Sequence, residues 1–157
     1  MPLRKSYLLP LVTSGFFFCL DQILKYMAHS TATTPHYLID PWLGWEYLAN
    51  PGIAFSVPFP NAALIIGTPI ILIGLLVYLG RKKHRTPSHL YGASLIFFGA
   101  VSNLIDRVLF SITIDYVRIL TTVLNIADIM IVMGTLLIIK GSATQTDPDD
   151  IDKTAQL

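Results

Sequence analysis

Carboxylates inside long apolar stretches are the residues of this chain whose type and placement could support chemistry. The stretch VLNIADIMIVMGTLLIIK, residues 123–140, carries Asp128 near its start. A carboxylate at the centre of a bilayer costs about 2.5–3.5 kcal/mol on insertion scales, so such residues are rare and usually functional. No basic residue lies within one helical turn of Asp128, and its nearest plausible partner is another acid, Asp115. Asp128 is therefore the leading candidate for chemistry.

Asp115 and Asp128 form a candidate catalytic pair. Two carboxylates that lie within a few ångströms of each other cannot both ionise cheaply, so they share one proton and titrate jointly. One can then act as a base toward water while the other, protonated, hydrogen-bonds the carbonyl under attack. This is the chemistry of an aspartyl protease. It requires no covalent nucleophile, and we expect neither a metal nor a cofactor.

Sequence patterns for other hydrolytic chemistries are missing. The chain contains no His-Glu-x-x-His and no Gly-x-Ser-x-Gly motif. Its single cysteine, Cys19, excludes an internal disulfide framework and a cysteine-based metal cluster, and lies in an apolar run where packing is its expected role. The histidines are scattered along the chain, at His29, His36, His84 and His89.

Further polar residues lie in or at the ends of the other apolar stretches. Asp21 and Lys25 are four residues apart and therefore share one helical face. The segments NLID and NIAD repeat an Asn-x-x-Asp pattern in two successive apolar stretches. A purely structural role is the alternative, because the acid–base pairs could be interfacial salt bridges and the asparagines could only link helices. The candidate supporting residues of these segments are Asp21, Lys25, Asn103, Asp106, Arg107 and Asn125.

The composition predicts that these residues are positioned by membrane-spanning helices. Of the 157 residues, 53% are hydrophobic and only 13% are charged, with a mean hydropathy of +0.59, whereas a soluble domain carries about 25% charged residues. Four stretches approach the roughly 20 residues that a bilayer core requires. They cover residues 7–28, 62–80, 89–105 and 123–139.

We therefore predict an all-α membrane protein, a four-transmembrane-helix bundle that forms a single domain over residues 1–141. Residues 142–157 form a polar, acidic tail that we predict to be disordered. The first span could instead be a cleaved signal peptide, because Arg4 and Lys5 precede it. The bulky run Phe16–Phe18 stands where cleavage requires small residues, so we expect this span to be retained.

The basic residues predict the orientation of the bundle. With both termini in the cytoplasm, eight of the eleven lysines and arginines lie inside, as the positive-inside rule requires. All six acids that precede the tail, including the candidate pair, then fall in the outer half or outside the membrane. We therefore predict an active site on the outer side. The net charge of +1 gives no reason to expect a nucleic-acid partner.

The long outer segment, residues 29–61, is predicted to form two accessory elements. Alternation in HYLIDPWLGWEYL predicts a small extracytoplasmic β-element, in which Trp42 and Trp45 lie at the headgroup level. The following ANPGIAF predicts a turn that leads into an interfacial flap over the site. Asp40 and Glu46 in this segment have no predicted role.

Five short motifs together resemble a known family, the lipoprotein signal peptidases (signal peptidase II). They are DQILK, NPGIAF, GAVSNLIDR, IDYV and LNIAD. Each motif is weak alone, but all five occur in the order of the family across the four predicted spans. The resemblance covers essentially the whole predicted bundle.

The resemblance implies an aspartyl endopeptidase of the bacterial inner membrane whose catalytic residues are Asp115 and Asp128. Its implied substrate is a prolipoprotein that carries a diacylglyceryl-cysteine and is cleaved just before that cysteine. We expect contact with membrane lipids and a monomeric enzyme. The residues that the resemblance implies to bind substrate or support the pair are Asp21, Lys25, Asn50, Gly52, Asn103, Asp106, Arg107 and Asn125.

The sequence departs from the family pattern at four positions. Phe98 and Ser102 stand where glycine is more common, and Tyr116 and Leu124 stand where phenylalanine is usual. None is a proposed catalytic carboxylate, so we expect effects on local packing alone. Two other classes of function stay open at this point, a small proton-coupled transporter subunit and a non-enzymatic membrane assembly factor.

Overall fold

Four long apolar helices form the frame of the protein. The computed structural model describes residues 3–30, 34–53, 57–82 and 85–144, with only the backbone described for residues 3–6. Each helix is long and apolar enough to cross a membrane, which confirms the predicted bundle of four candidate spans. The helices are α1 (Leu3–Ser30), α2 (Asn61–Arg81), α3 (Pro87–Phe110) and α4 (Ile126–Ala143).

The ends of two helices differ from the prediction. Helix α3 continues to Phe110, five residues past the predicted end of the span at residue 105, so Asp106 and Arg107 lie within it. Helix α4 begins at Ile126, three residues later than predicted, because the preceding apolar residues form a strand. It also continues to Ala143 and so takes in the first two residues of the segment predicted as a tail. Residues 145–157 lie outside the described residues.

A small antiparallel sheet accompanies the helices. Its strands pair in chain order, and Asp115 lies opposite Leu48 where β3 pairs with β2. Tyr116 packs with Ala28 of α1 and Ile114 in a buried apolar cluster, which fixes the sheet against the end of that helix. The predicted β-element is thus confirmed. The strands are β1 (His36–Ile39), β2 (Leu43–Asn50), β3 (Thr113–Ile119) and β4 (Thr122–Leu124).

The distribution of side chains is that of a protein surrounded by lipid. On α2, Ile66, Ile70, Ile71 and Ile73 are between 61% and 69% exposed. Among the described residues, the buried side chains include more polar and charged groups than apolar ones. Lipid solvates apolar side chains but cannot satisfy polar groups, so polar groups must find partners inside the protein.

Helices α3 and α4 approach each other closely because glycines lie at their crossing. A Cβ atom on Gly92 would lie 2.6 Å from the carbonyl oxygen of Gly134, and one on Gly99 would lie 2.7 Å from that of Ala127. Real Cβ atoms do not come so near to backbone oxygens. Small residues at such crossings let helix backbones pack together in membranes. The contact at Ala127 is adjacent to Asp128 and sets its distance from α3.

The turn after β2 requires glycine at position 52. A Cβ atom there would lie 2.0 Å from the carbonyl oxygen of Val57, and the Ile53 amide donates to that same oxygen at 2.9 Å. The Asn50 side chain closes the turn by accepting from the Gly52 amide at 2.9 Å. The turn predicted in this segment is present. The centre of the predicted flap, residues 54–56, lies outside the described residues.

Candidate active site

Asp115 is held in the sheet by two asparagine side chains. It follows Ile114 in β3 and is 1% exposed. Asn50 donates to its Oδ2 at 2.9 Å, and Asn125 donates to its Oδ1 at 2.6 Å. Both carboxylate oxygens therefore have a fixed donor, and the carboxylate is oriented by two segments that are distant from each other in sequence.

Asp128 lies in the first turn of α4 and is held by that turn. Asn125 caps the helix: its Oδ1 accepts from the Asp128 amide at 2.8 Å, and the Asp128 carboxylate accepts from the Asn125 amide at 3.4 Å. This reciprocal arrangement is a capping box. Asn103 of α3 donates to Asp128 Oδ1 at 2.9 Å, so a third contact comes from the neighbouring helix.

Asn125 links the two carboxylates. It donates to Asp115 and caps the helix turn that carries Asp128. The pKa of Asp115 is raised from 3.8 to about 7, first by burial and second by the charge of Asp128. Hydrogen bonds from Asn50 and Asn125 and the charge of Lys25 oppose this shift. The two acids therefore interact electrostatically, as proton sharing requires.

Lys25 lies at the centre of a buried ionic network beside the pair. Its Nζ is 3.0 Å from Asp21 and 2.8 Å from Asp106, and it donates to Asn103 Oδ1 at 2.8 Å. The lysine is 2% exposed. Asp106 in turn accepts from the amide of Ile114 at 3.2 Å. The network thus supports both carboxylates, one through Asn103 and the other through the strand.

Two hydroxyl groups that sequence reasoning did not assign to the site also belong to this network. Tyr116 donates to Asp21 Oδ1 at 2.7 Å, and Ser102 donates to Asp21 Oδ2 at 2.6 Å. Gln22 donates to the Ser102 hydroxyl at 2.7 Å. The available signal was that, within two of the family motifs, Ser102 stands in place of glycine and Tyr116 in place of phenylalanine. Their role extends beyond the packing role that we expected.

Arg107 contacts the turn after β2. Its Nη2 donates to the carbonyl oxygen of Gly52 at 3.2 Å, while the carbonyl of Arg107 accepts from Asn61 at 3.3 Å. The guanidinium group therefore already binds a peptide carbonyl, although that carbonyl belongs to this chain. An arginine has five donors, and one of them is used in the contacts that the described residues make with this guanidinium.

A cavity of about 460 Å³ adjoins Asp128. Its walls come from α2, α3, α4 and the turn after β2, and they are mainly apolar, with residues such as Ile131 and Val132. Asn103 and Arg107 are among the few polar groups that line it. Asp128 is partly exposed and lines this space, whereas Asp115 is buried and is not part of the lining.

Comparison with known proteins identifies a family for this arrangement of helices and sheet. The sequence profile of the family described as signal peptidase (SPase) II matches residues 13–143. The chain belongs to the signal peptidase II family.

Curated relatives and solved structures are consistent with that family. The lipoprotein signal peptidase of Chlorobium phaeobacteroides is 33% identical over 136 residues, which cover 76% of this chain and 80% of the relative. That of Bartonella quintana is 33% identical over 145 residues, 87% of each chain. A bacterial membrane enzyme solved in meso at 2.3 Å resolution has a TM-score of 0.77 and 25% identity, covering 88% of this chain and 92% of its own.

As a signal peptidase II, the chain is a multi-pass membrane protein and an aspartic peptidase that cleaves signal peptides from prolipoproteins. The resemblance inferred from the five motifs is thus confirmed. The transporter and assembly-factor alternatives have no support in these comparisons.

Several polar residues of this signal peptidase II lie away from the paired acids. Glu46 forms an ion pair with Arg118 at 2.7 Å and accepts from the Tyr37 hydroxyl at 3.0 Å, so it ties strands together. Asp40 lies exposed in the turn between β1 and β2. Within the described parts of the chain, no three His, Cys, Asp or Glu side chains are grouped to hold a metal ion.

Proposed function

We propose that Asp115 and Asp128 are the catalytic pair of this signal peptidase II, acting on prolipoproteins that carry a diacylglyceryl-cysteine. The observation that carries the proposal is the link through Asn125, which donates to one carboxylate and caps the turn that bears the other. The second carboxylate borders an apolar cavity suited to lipid-like groups. A buried pair of interacting acids beside such a cavity is the arrangement that peptide hydrolysis by water requires.

In the proposed reaction, the two acids share one proton. The pKa of Asp115, raised to about 7, lies in the neutral range, so the proposal assigns the shared proton to Asp115 in the active form of the enzyme. Asp128, which faces the cavity, takes a proton from water as the water oxygen attacks the peptide carbonyl before the lipidated cysteine. The Asp115 hydroxyl hydrogen-bonds the carbonyl oxygen as negative charge develops there.

Collapse of the tetrahedral intermediate completes the reaction. The proton taken up by Asp128 passes to the nitrogen of the cysteine, and the carbon–nitrogen bond breaks. The products are a signal peptide with a free carboxyl group and a lipoprotein whose lipidated cysteine has a free amino group. No covalent enzyme intermediate forms, and the proposed reaction uses no metal ion.

The surrounding polar residues fall into two proposed roles. Asn103 and Arg107 line the cavity and would contact the peptide near the scissile bond. The other residues hold the pair in place through the contacts already described, with Gly52 presenting its carbonyl to Arg107. These supporting residues are Asp21, Lys25, Asn50, Gly52, Asp106 and Asn125.

The membrane setting follows from the same proposal. A substrate anchored by its acyl chains reaches the site within the plane of the membrane, so a cavity bordered by apolar helix faces suits it. We propose that both termini lie in the cytoplasm, that the site lies at the outer surface of a bacterial inner membrane, and that the enzyme acts as a monomer.

The test compares cleavage by the wild type with that by Asp115→Asn and Asp128→Asn. The purified proteins receive a lipidated prolipoprotein peptide, and product is quantified by mass spectrometry. Each change should reduce cleavage by about 10³-fold or more, as removal of a catalytic acid or base does. The matched control is Glu46→Gln, which neutralises an acid in the same sheet and should retain wild-type turnover.

Two results would contradict the proposal. Substantial turnover in either asparagine variant would remove that aspartate from the catalytic pair. Loss of wild-type turnover in a chelator, with recovery on adding back a divalent metal, would indicate a metal-dependent reaction. Thermal unfolding in detergent must show that each variant is folded.

A further inference from the structure

The amides in the first turn of α4 donate hydrogen bonds to acceptors from three different parts of the chain. The first amides of any helix lack partners within the helix and must be satisfied from outside. Here the Ile126 amide donates to the Tyr116 hydroxyl at 3.2 Å, the Ala127 amide to Asp21 Oδ1 at 3.2 Å, and the Asp128 amide to Asn125 at 2.8 Å. Only the last is the helix's own cap.

The Tyr116 hydroxyl is a second group, besides Asn125, that joins the two segments carrying the proposed catalytic acids. Tyr116 immediately follows Asp115 in β3, and its hydroxyl accepts from Ile126, two residues before Asp128. The same hydroxyl donates to Asp21 Oδ1, which also receives the next amide of the helix. Burial raises the pKa of the Tyr116 phenol, so this hydroxyl keeps the proton that it donates.

Ser102 fixes the other oxygen of the same carboxylate. Its hydroxyl donates to Asp21 Oδ2 at 2.6 Å and accepts from Lys25 at 3.3 Å and from Gln22 at 2.7 Å. Asp21 is fully buried and does not touch either proposed catalytic acid through a direct hydrogen bond in the described contacts. The two oxygens of the Asp21 carboxylate are therefore each held in place by a separate hydroxyl group.

We propose that Tyr116 and Ser102, acting through Asp21, are positioning residues that fix the start of α4 relative to β3 and thereby set the separation of Asp115 and Asp128. This inference rests on the proposed catalytic pair. The loss of either hydroxyl leaves a buried carboxylate oxygen with one donor fewer and lets the two segments shift relative to each other. A misplacement of catalytic groups by about 1 Å can cost roughly 100-fold in rate. Because the shift affects the proposed catalytic acids and not the apolar walls of the cavity, we expect it to lower turnover rather than substrate binding.

The experiment measures kcat and KM separately for Tyr116→Phe with the lipidated peptide. The variant keeps the ring, which packs on Trp45 with a centroid distance of 5.1 Å, and removes only the hydroxyl. We expect kcat to fall by about 10- to 100-fold while KM stays within about twofold of wild type. Ser102→Ala, which acts on the other oxygen, should change kcat in the same direction without changing KM.

Two controls separate positioning from general weakening of the fold. Tyr47→Phe removes a tyrosine hydroxyl of the neighbouring strand that contacts only His29 in the described contacts, and it should leave kcat unchanged. Ala28→Gly weakens the helix beneath the Tyr116 ring without removing a hydrogen bond. It should lower the unfolding temperature at least as much as Tyr116→Phe while kcat stays near wild type.

The outcomes distinguish this inference from the proposed function. Wild-type kcat in Tyr116→Phe, or a fall in kcat no larger than that of Ala28→Gly, overturns the positioning role while inactive Asp115→Asn leaves the catalytic pair intact. If Tyr116→Phe does not fold, Ser102→Ala decides, and unchanged kcat there overturns the inference. Turnover in Asp115→Asn overturns both, because the hydroxyls then have no catalytic pair to position.

Discussion

Asn125 carries out two tasks with one side chain. It caps α4 by accepting from the amide of Asp128, and it donates to Asp115. The Asn-x-x-Asp spacing that directed attention to NIAD is therefore a helix-start signal as well as a site motif. In NLID the same spacing lies within α3, where Asn103 donates to Asp128 of the neighbouring helix. The Asn-x-x-Asp pattern therefore marks a helix start in NIAD and a contact between helices in NLID.

The raised pKa of Asp115 predicts how stability depends on pH. A carboxyl group that keeps its proton to about pH 7 when folded, but only to about pH 4 when unfolded, binds more protons in the native state between these values. Its contribution to stability is therefore complete below about pH 4 and is lost as the pH rises through about 7.

Asp115→Asn lacks this titration, so its stability relative to wild type should increase from pH 4.5 to pH 7.5. Thermal unfolding in detergent at several pH values measures the difference between the two proteins. A difference that stays constant across this range would contradict the raised pKa.

The buried ion pairs of Lys25 predict a large cost for removing its charge. Lys25→Met leaves Asp21 and Asp106 as buried carboxylates without their counter-ion, which should destabilise the fold by about 3–5 kcal/mol.

Arg118→Met is the matched control for Lys25→Met. It breaks the partly exposed pair with Glu46, and about 0–1 kcal/mol is expected for such a pair. Chemical unfolding in mixed micelles measures both variants. Equal losses would show that Lys25 contributes no more than a surface charge.

At the scale of elements, the crossing of α3 and α4 controls the geometry of the site. Gly99 brings α3 against the backbone of Ala127, and Asn103 lies one turn further along the same helix. We expect Gly99→Ala to push the helices apart, to weaken the Asn103–Asp128 hydrogen bond, and to lower both the unfolding temperature and kcat. Overpacking of this kind typically costs about 1–3 kcal/mol.

Gly74→Ala in α2 is the matched control, because an added Cβ atom there would have no neighbour within 4 Å. Its turnover and unfolding temperature should equal or slightly exceed those of the wild type, since alanine favours helix more than glycine does. Similar losses in the two variants would mean that the effect arises from helix propensity rather than from the crossing.

The helices and the polar residues around Lys25 could be predicted from the sequence, whereas several of the hydrogen bonds that join them could not. Apolar length predicted the four helices, and the spacing of acids and asparagines predicted the group around Lys25. The start of α4 was misplaced because Val123 and Leu124 suit a strand and a membrane helix equally well. The Tyr116 contact to Asp21 depends on how β3 lies against α1, and the Ser102 contact depends on how α3 packs against α1. One sequence without its fold reveals neither.

At the scale of the whole molecule, the protein reverses the usual distribution of polarity. Its buried charged groups, Asp21, Lys25, Asp106 and Asp115, lie at one end of the bundle, and many isoleucines and leucines are exposed on the outside. This arrangement is stable only where lipid surrounds the helices. The basic residues near Arg81 and Arg85 lie at the opposite end of α2 and α3 from Asn61 and Asp106, so the two ends of the bundle differ in charge.

This asymmetry predicts the orientation in the membrane. A fluorescent protein that folds only in the cytoplasm should fluoresce when fused after Leu157, and an alkaline phosphatase fused there should be inactive. The same phosphatase fused after a truncation at Phe59 should be active, because the segment before α2 is predicted to lie outside. The reverse pattern of signals would invert the proposed orientation and place the paired acids at the cytoplasmic surface.

The cavity beside Asp128 has a pharmacological consequence. Its wall includes outward-facing residues of α4, Ile129, Val132 and Met133, which are 45%, 58% and 49% exposed where lipid surrounds the helix. We therefore expect an inhibitor that competes with substrate for this space to reach it after dissolving in the membrane. Its apparent potency should then follow its mole fraction in lipid rather than its aqueous concentration. Added micelles or liposomes dilute such a compound, so inhibition constants are comparable only between assays run at one amphiphile content.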